Sequence, residues 1–212
     1  MFDLSACHVE RTADGDYLVS WRLPHASDRV KVYMSEDPDH FYAGGHPGEP
    51  VLTTEAREAL VPCPDKGVRH YFYLQSEHGE GVILAERKLD LEGTPNFRDL
   101  GGYQGHEGRK LRWGKLYRSS KLSALSEKDR NYVRRLGLTL ICDFRQVLEQ
   151  ELEPTALDDG HLHTLASLPV MPGSSQSFME SLHNGIIAVD DAAKFMEDTN
   201  RDFVINQMPQ YA

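Results

Sequence analysis

Up to Leu91 the sequence alternates apolar and polar side chains with a period of two, in short runs separated by turn-forming residues. A period of two places every second side chain on one face of a strand and is incompatible with an amphipathic helix, whose apolar positions recur every three or four residues. The runs Asp16-Tyr17-Leu18-Val19-Ser20-Trp21-Arg22-Leu23, Arg29-Val30-Lys31-Val32-Tyr33-Met34 and His70-Tyr71-Phe72-Tyr73-Leu74 are rich in aromatic and β-branched residues, and residues 82–91 read as a further strand. Pro24-His25-Ala26-Ser27-Asp28, Asp37-Pro38-Asp39 and Gly44-Gly45-His46-Pro47-Gly48 break the chain between them. Many short antiparallel strands with one buried face predict a β-sandwich over residues 1–92.

After Gly93-Thr94-Pro95 the pattern changes. Ser126-Glu127-Lys128-Asp129 is a capping-box-like helix start, with Tyr132, Val133 and Leu136 on one face of the helix that follows and Gly137 as its left-handed stop. Residues 138–142 are a short apolar run bounded by Gly and by charge, which predicts a strand buried on both faces. Residues 176–185 and 189–205 have helical spacing, the second with Asp190 and Asp191 in its first turn. A helix feeding a buried strand predicts an α/β domain over residues 93–212.

Composition excludes several classes. Of 212 residues, 40% are apolar, enough for one sizeable core, yet no apolar run approaches the ~20 residues of a membrane span. Asp3, Glu10, Arg11, Asp14 and Asp16 interrupt the start where a secretory signal needs a continuous apolar stretch, so a cytoplasmic protein is expected. The 3 cysteines, Cys7, Cys63 and Cys142, have neither disulfide nor zinc spacing. A net charge of −10 argues against nucleic acid as a partner. The charge is uneven, however: residues 98–135 carry eleven basic and four acidic side chains, which suits a small anionic ligand.

In open α/β sheets ligands sit beyond the carboxyl ends of strands, and the predicted strand ends in Cys142-Asp143-Phe144-Arg145. Asp143 and Arg145 are therefore the first candidates. Leu116-Tyr117-Arg118-Ser119-Ser120 and Asn96-Phe97-Arg98-Asp99-Leu100-Gly101-Gly102 add Arg, Asp and hydroxyl groups in Gly-bearing loops, and the planar fork of Arg is suited to phosphate oxygens. The run from Asn96 to Tyr103, then Gly114-Lys115-Leu116-Tyr117-Arg118-Ser119-Ser120-Lys121-Leu122, then Leu136-Gly137-Leu138 leading to Asp143, Arg145 and Glu149, resembles the bacterial tyrosine/serine protein phosphatases, atypical protein-tyrosine phosphatases with an Asn-Phe-Arg-Asp signature. Residues 190–203 resemble the helical region before that family's active-site loop. The placing of Trp21, Tyr33 and Tyr71, with Pro24 ending the Trp strand, resembles a fibronectin type III module.

The resemblance implies a three-layer phosphatase-like α/β domain that hydrolyses phosphate monoesters through a phosphocysteine intermediate. Phosphotyrosine is the implied substrate, with phosphoserine, phosphothreonine or phosphoinositides as further ones, carried on a protein or a small molecule; no metal or organic cofactor is implied. Asp143 and Arg145 would lie beside the catalytic loop, with Asn96, Arg98, Asp99, Arg118 and Glu149 as a phosphate-binding or supporting shell. Residues 170–200, with Pro172-Gly173-Ser174-Ser175 as hinge, would form a lid. The family's His-Cys-x5-Arg loop is not found before Ala212, so the α/β domain is expected to be incomplete and the 212-residue chain inactive, with marginal stability or self-association in consequence. Cys63-Pro64-Asp65-Lys66-Gly67-Val68-Arg69 meets Cys-x5-Arg by count alone; Pro64 removes an amide that a phosphate cradle would use, and the segment reads as strand-turn-strand. Cys142 reads as a small core residue, and His161-x-His163 lacks a third metal ligand. The competing reading is a catalytically inactive binding module that uses the sandwich and a basic anion pocket.

Overall fold

The computed structural model describes residues 2–23, 28–44, 47–157, 164–170, 184, 189–206 and 208. The chain forms two compact units, Met1–Leu138 with Ala156–Asp158, and Thr139–Thr155 with Asp159–Ala212.

The first unit begins with seven strands: β1 (His8–Arg11), β2 (Tyr17–Ser20), β3 (Val30–Ser35), β4 (Leu52–Thr54), β5 (Glu58–Val61), β6 (Tyr71–Ser76) and β7 (Gly81–Ala85). They pair antiparallel in two sheets, ordered β1-β2-β5 and β4-β3-β6-β7. The period of two explains the packing: Tyr17 and Val19 of one sheet, and Val30, Val32, Phe72 and Leu74 of the other, are fully buried and belong to one hydrophobic core. Trp21, Tyr33 and Tyr71 are buried as well. The expected strand 16–23 is shorter than its pattern and ends at Ser20, although the Trp21 amide still donates to the Arg57 carbonyl just before β5.

Residues 82–91 do not form one strand. The run divides into β7 and β8 (Lys88–Leu89), which belong to different sheets. Ala85 and Glu86 are both buried, which breaks the alternation, and the Arg87 guanidinium donates to the carbonyls of Asp99 (2.8 Å) and Gly101 (2.9 Å) where the chain crosses over. β8 pairs with β9 (Phe97–Asp99), and β9 with β10 (Tyr117–Arg118), in a third antiparallel sheet. The predicted helix is α1 (Glu127–Arg135), and its start is the expected capping box: Ser126 Oγ accepts from the Asp129 amide, and Asp129 accepts from the Ser126 amide. Gly137 takes φ 65°, the left-handed stop. Asp129 also accepts from the amides of Glu92 (3.0 Å) and Gly93 (2.8 Å), anchoring the helix start to the segment where the sequence pattern changes.

In the second unit, β11 (Leu140–Asp143) pairs parallel with β12 (Thr164–Ser167), and α2 (Val147–Leu152) and α3 (Val189–Asn206) are helical. The helix expected over 189–205 is α3; that expected over 176–185, most of the lid with its hinge, and His161-x-His163 lie outside the described residues. β11 departs from expectation. Leu140 is 54% exposed and Cys142 is exposed, so neither is a core residue. Among the described residues β12 is the only strand that pairs with β11, and a two-stranded sheet has too few neighbours to bury both faces of an apolar strand. Among the described residues no helix is long and apolar enough to cross a membrane.

Candidate active site

The Asn-Phe-Arg-Asp segment is β9, and strand alternation decides what each residue does. Phe97 and Asp99 point inward and are fully buried, while Arg98 points outward and is exposed. A buried carboxylate needs donors on both oxygens, and Asp99 has them. Its Oδ1 accepts from the Gly101 amide at 2.6 Å, and its Oδ2 from the Gly114 amide at 2.7 Å and Arg69 Nη1 at 2.6 Å. Arg69, from the loop before β6, is itself 3% exposed; it donates to Tyr117 Oη at 2.8 Å and to the Glu86 carbonyl at 2.6 Å, and lies over the Tyr71 and Tyr117 rings. Burial opposes its charge, but the Tyr117, Tyr71 and Asp99 oxygens outweigh that and hold the guanidinium proton more firmly than usual. Asp99 thus pins the loop 99–114 through charge and amides together.

That loop is closed by Trp113, whose Nε1 donates to the Ile83 carbonyl at 3.0 Å and whose ring carries the Arg87 guanidinium 4.7 Å above its centroid. A Cβ at Gly101 would lie 2.4 Å from Trp113 Cα, so the backbone approaches the indole as only glycine permits. Arg118 pairs with Arg98 across β9 and β10 and is likewise exposed. Asn96 Oδ1 is buried without a hydrogen-bond partner among the described residues. Among the described residues, clefts of about 770 and 990 Å³ open in this unit; Arg11 and Glu86 line both, and Asn96, Arg98 and Arg118 line neither.

In the second unit Asp143, Arg145 and Glu149 shape one strand-to-helix turn. Arg145 Nε and Nη2 donate to Asp143 Oδ1 (2.9 Å) and Oδ2 (2.6 Å) in a two-point fork, the Arg145 amide adds a third bond to Oδ1, and Arg145 Nη1 reaches the Glu153 carbonyl at 2.9 Å. The Arg145 hydrogen bonds hold the Asp143 carboxyl below its usual range, so the pair is ionised at neutral pH. Glu149 accepts from the Gln146 amide at 2.9 Å and caps α2, so it does more than decorate a solvated helix face. Gln150 Nε2, donating to the Arg145 carbonyl at 2.7 Å, completes the turn.

The cysteines divide by burial. Cys63 Sγ sits against the Asp65 carbonyl and burial pushes its thiol up, away from the thiolate that a nucleophile requires, and Arg69 at the far end of this Cys-x5-Arg is engaged by Asp99 and Tyr117. Burial also pushes the Cys7 thiol up. Among the described residues one group of metal-ligand type occurs, Asp28, Glu77 and His78 with ligand atoms within 4.8 Å of one another, and it shares no residue with the candidate site. The sequence reading overlooked Arg69 and Arg87 as supports. No family motif carries them; they are found only through the tertiary packing that brings Arg69, before β6, and Arg87, between β7 and β8, against Asp99 and Gly101.

Two comparisons bear on this arrangement. The sequence pattern of the tyrosine phosphatase family matches residues 89–212. A Cupriavidus necator protein named "Putative tyrosine-protein phosphatase" is 35% identical over 132 residues, covering 61% of this chain and 47% of that protein, so the chain spans about half the length of the relative it matches. The matched segment contains all seven candidate residues, from Asn96 in the loop before β9 to Glu149 in α2, and extends over more than half of the chain: the protein belongs to the tyrosine phosphatase family.

Proposed function

We propose that this protein hydrolyses phosphate monoesters, phosphotyrosine foremost and phosphoserine, phosphothreonine or phosphoinositides as further substrates, through a phosphocysteine intermediate. The observation that carries the proposal is the family match over residues 89–212, which spans the Asn-Phe-Arg-Asp strand, the Tyr117-Arg118 strand and the Asp143–Arg145 turn in order. In this reading Asp143 and Arg145 are a supporting pair beside the cysteine loop, ionised and aligned before substrate arrives, which is the preorganisation that favours charge stabilisation. Asn96, Arg98, Asp99, Arg118 and Glu149 take the phosphate-binding or supporting roles that the family resemblance implies, with Asp99 and Glu149 acting through the backbone that each holds within its own unit. Residues 93–212 are the N-terminal part of the phosphatase α/β domain, and residues 1–92 a fibronectin type III-like sandwich, supported by the strand orders β1-β2-β5 and β4-β3-β6-β7 around one core. The protein is cytoplasmic in this reading.

In this reading the nucleophile is not among the cysteines of these 212 residues, and the buried thiol and engaged Arg of the one Cys-x5-Arg support that. The same observation favours the second reading, an inactive binding module. Phosphate release from a phosphotyrosine peptide tests both. The 212-residue chain is expected to give none above buffer, with or without Cys63→Ser, and a longer chain that joins these residues to a His-Cys-x5-Arg loop to give turnover that phosphate analogues inhibit. Such a longer chain without turnover supports the binding module, and activity of the 212-residue chain that Cys63→Ser abolishes overturns the rejection of Cys63.

A further inference from the structure

The three-stranded sheet β8-β9-β10 has one buried face, where Leu89 opposes Phe97, and one open face. On the open face the register sets Lys88 opposite Arg98, and Arg98 opposite Arg118. Directly paired residues on neighbouring strands point to the same side, so the three cations stand in a single row across the sheet. All three are exposed. Strands lie about 5 Å apart, so the row spans roughly 10 Å. Lys88 has an ion pair with Asp90 at 3.0 Å, itself exposed and weak, at one end of the row; among the described residues neither Arg98 nor Arg118 is paired with a carboxylate. Like charges directly opposite one another weaken a sheet, so the row works against the fold that displays it unless an anion neutralises it.

We infer that Lys88, Arg98 and Arg118 form a binding row for a small soluble polyanion carrying two or more phosphate groups. Two guanidinium forks and an ammonium at strand spacing offer separate donors to neighbouring phosphates, so a ligand with several phosphates engages more of the row than orthophosphate does. The net charge of −10 disfavours an extended acidic partner, such as nucleic acid or an anionic membrane, which would have to lie over more of the acidic surface than the row covers. Lys88 lies just outside the residues that match the family pattern, so the row is not contained in the matched segment. The inference goes beyond hydrolysis and does not depend on it.

Calorimetric titration of the 212-residue protein with inorganic tripolyphosphate, pyrophosphate and orthophosphate tests the inference without any turnover. Tripolyphosphate is expected to bind most tightly, and Lys88→Gln, Arg98→Gln and Arg118→Gln each to weaken it by about threefold to tenfold. Lys31→Gln, an exposed cation on β3 in another sheet, is expected to leave binding unchanged, and each variant to keep the wild-type circular dichroism spectrum. Equal binding of tripolyphosphate by wild type and the triple Gln variant overturns the inference, as does orthophosphate binding as tightly as tripolyphosphate. Binding to phosphatidylserine vesicles that tripolyphosphate cannot displace overturns it in favour of a membrane surface.

Discussion

Arg69 and Glu86 have no role in the family motifs, yet both are buried and charge-bearing, so small changes at either have large consequences. Arg69→Met would leave the fully buried Asp99 without its guanidinium partner, and loss of one member of a buried pair costs about 3–5 kcal/mol. Urea unfolding measures it, and a loss within the error of the method contradicts the bonding described for Asp99. Glu86 is 4% exposed, with Arg11 Nε at 3.4 Å. Burial pushes its carboxyl up from 4.5 to about 7, against the pull of Arg11 and Arg69. The folded chain therefore keeps a proton that the unfolded chain has lost, and this contribution to stability is full below 4.5 and lost as pH rises through about 7. His70, pushed down by burial, acts with the opposite sign: its contribution is lost as pH falls below 6.5. Because His70 is common to both proteins, the difference between Glu86→Gln and wild type isolates Glu86. The variant is expected to gain about 2–3 kcal/mol relative to wild type between about pH 5 and pH 8, read from urea unfolding. A difference independent of pH contradicts the assignment.

Among the elements, those marked by local chemistry were legible and those made by pairing were not. The start and stop of α1 follow from Ser126, Asp129 and Gly137, because capping depends on residues within one turn. Ser126→Ala removes the acceptor for the Asp129 amide and is expected to cost about 1 kcal/mol in thermal or urea unfolding, with no change in the strands. Asp129 keeps its bonds to Glu92 and Gly93, so the helix start stays anchored. The two-residue strands β8 and β10 carry too little sequence to show a period, and they exist because β9 lies between them. β11 shows the converse: its apolar run reads as buried, but burial requires neighbours on both faces, which local sequence does not supply.

At the scale of the molecule, the pattern changes at residue 92 but the first compact unit continues to Leu138. Arg69 with Asp99, Trp113 with the Ile83 carbonyl and Asp129 with the Glu92 and Gly93 amides all join residues on either side of that change. A fragment of residues 1–92 is therefore expected to unfold at lower urea concentration than one of residues 1–138, because Arg69 and the Ile83 carbonyl lose their partners; equal midpoints contradict this. The amino-acid sequence alone determined the strand-rich first half, the capped helix and the run of phosphatase motifs, since periodicity, capping and motif order depend on residues close together in the chain. Tertiary structure alone decided that Asp99 is held by Arg69, that Glu86 is buried, and that Lys88, Arg98 and Arg118 share one face. Those depend on which strands pair and in what register, and residues tens of positions apart leave no mark on each other's local pattern.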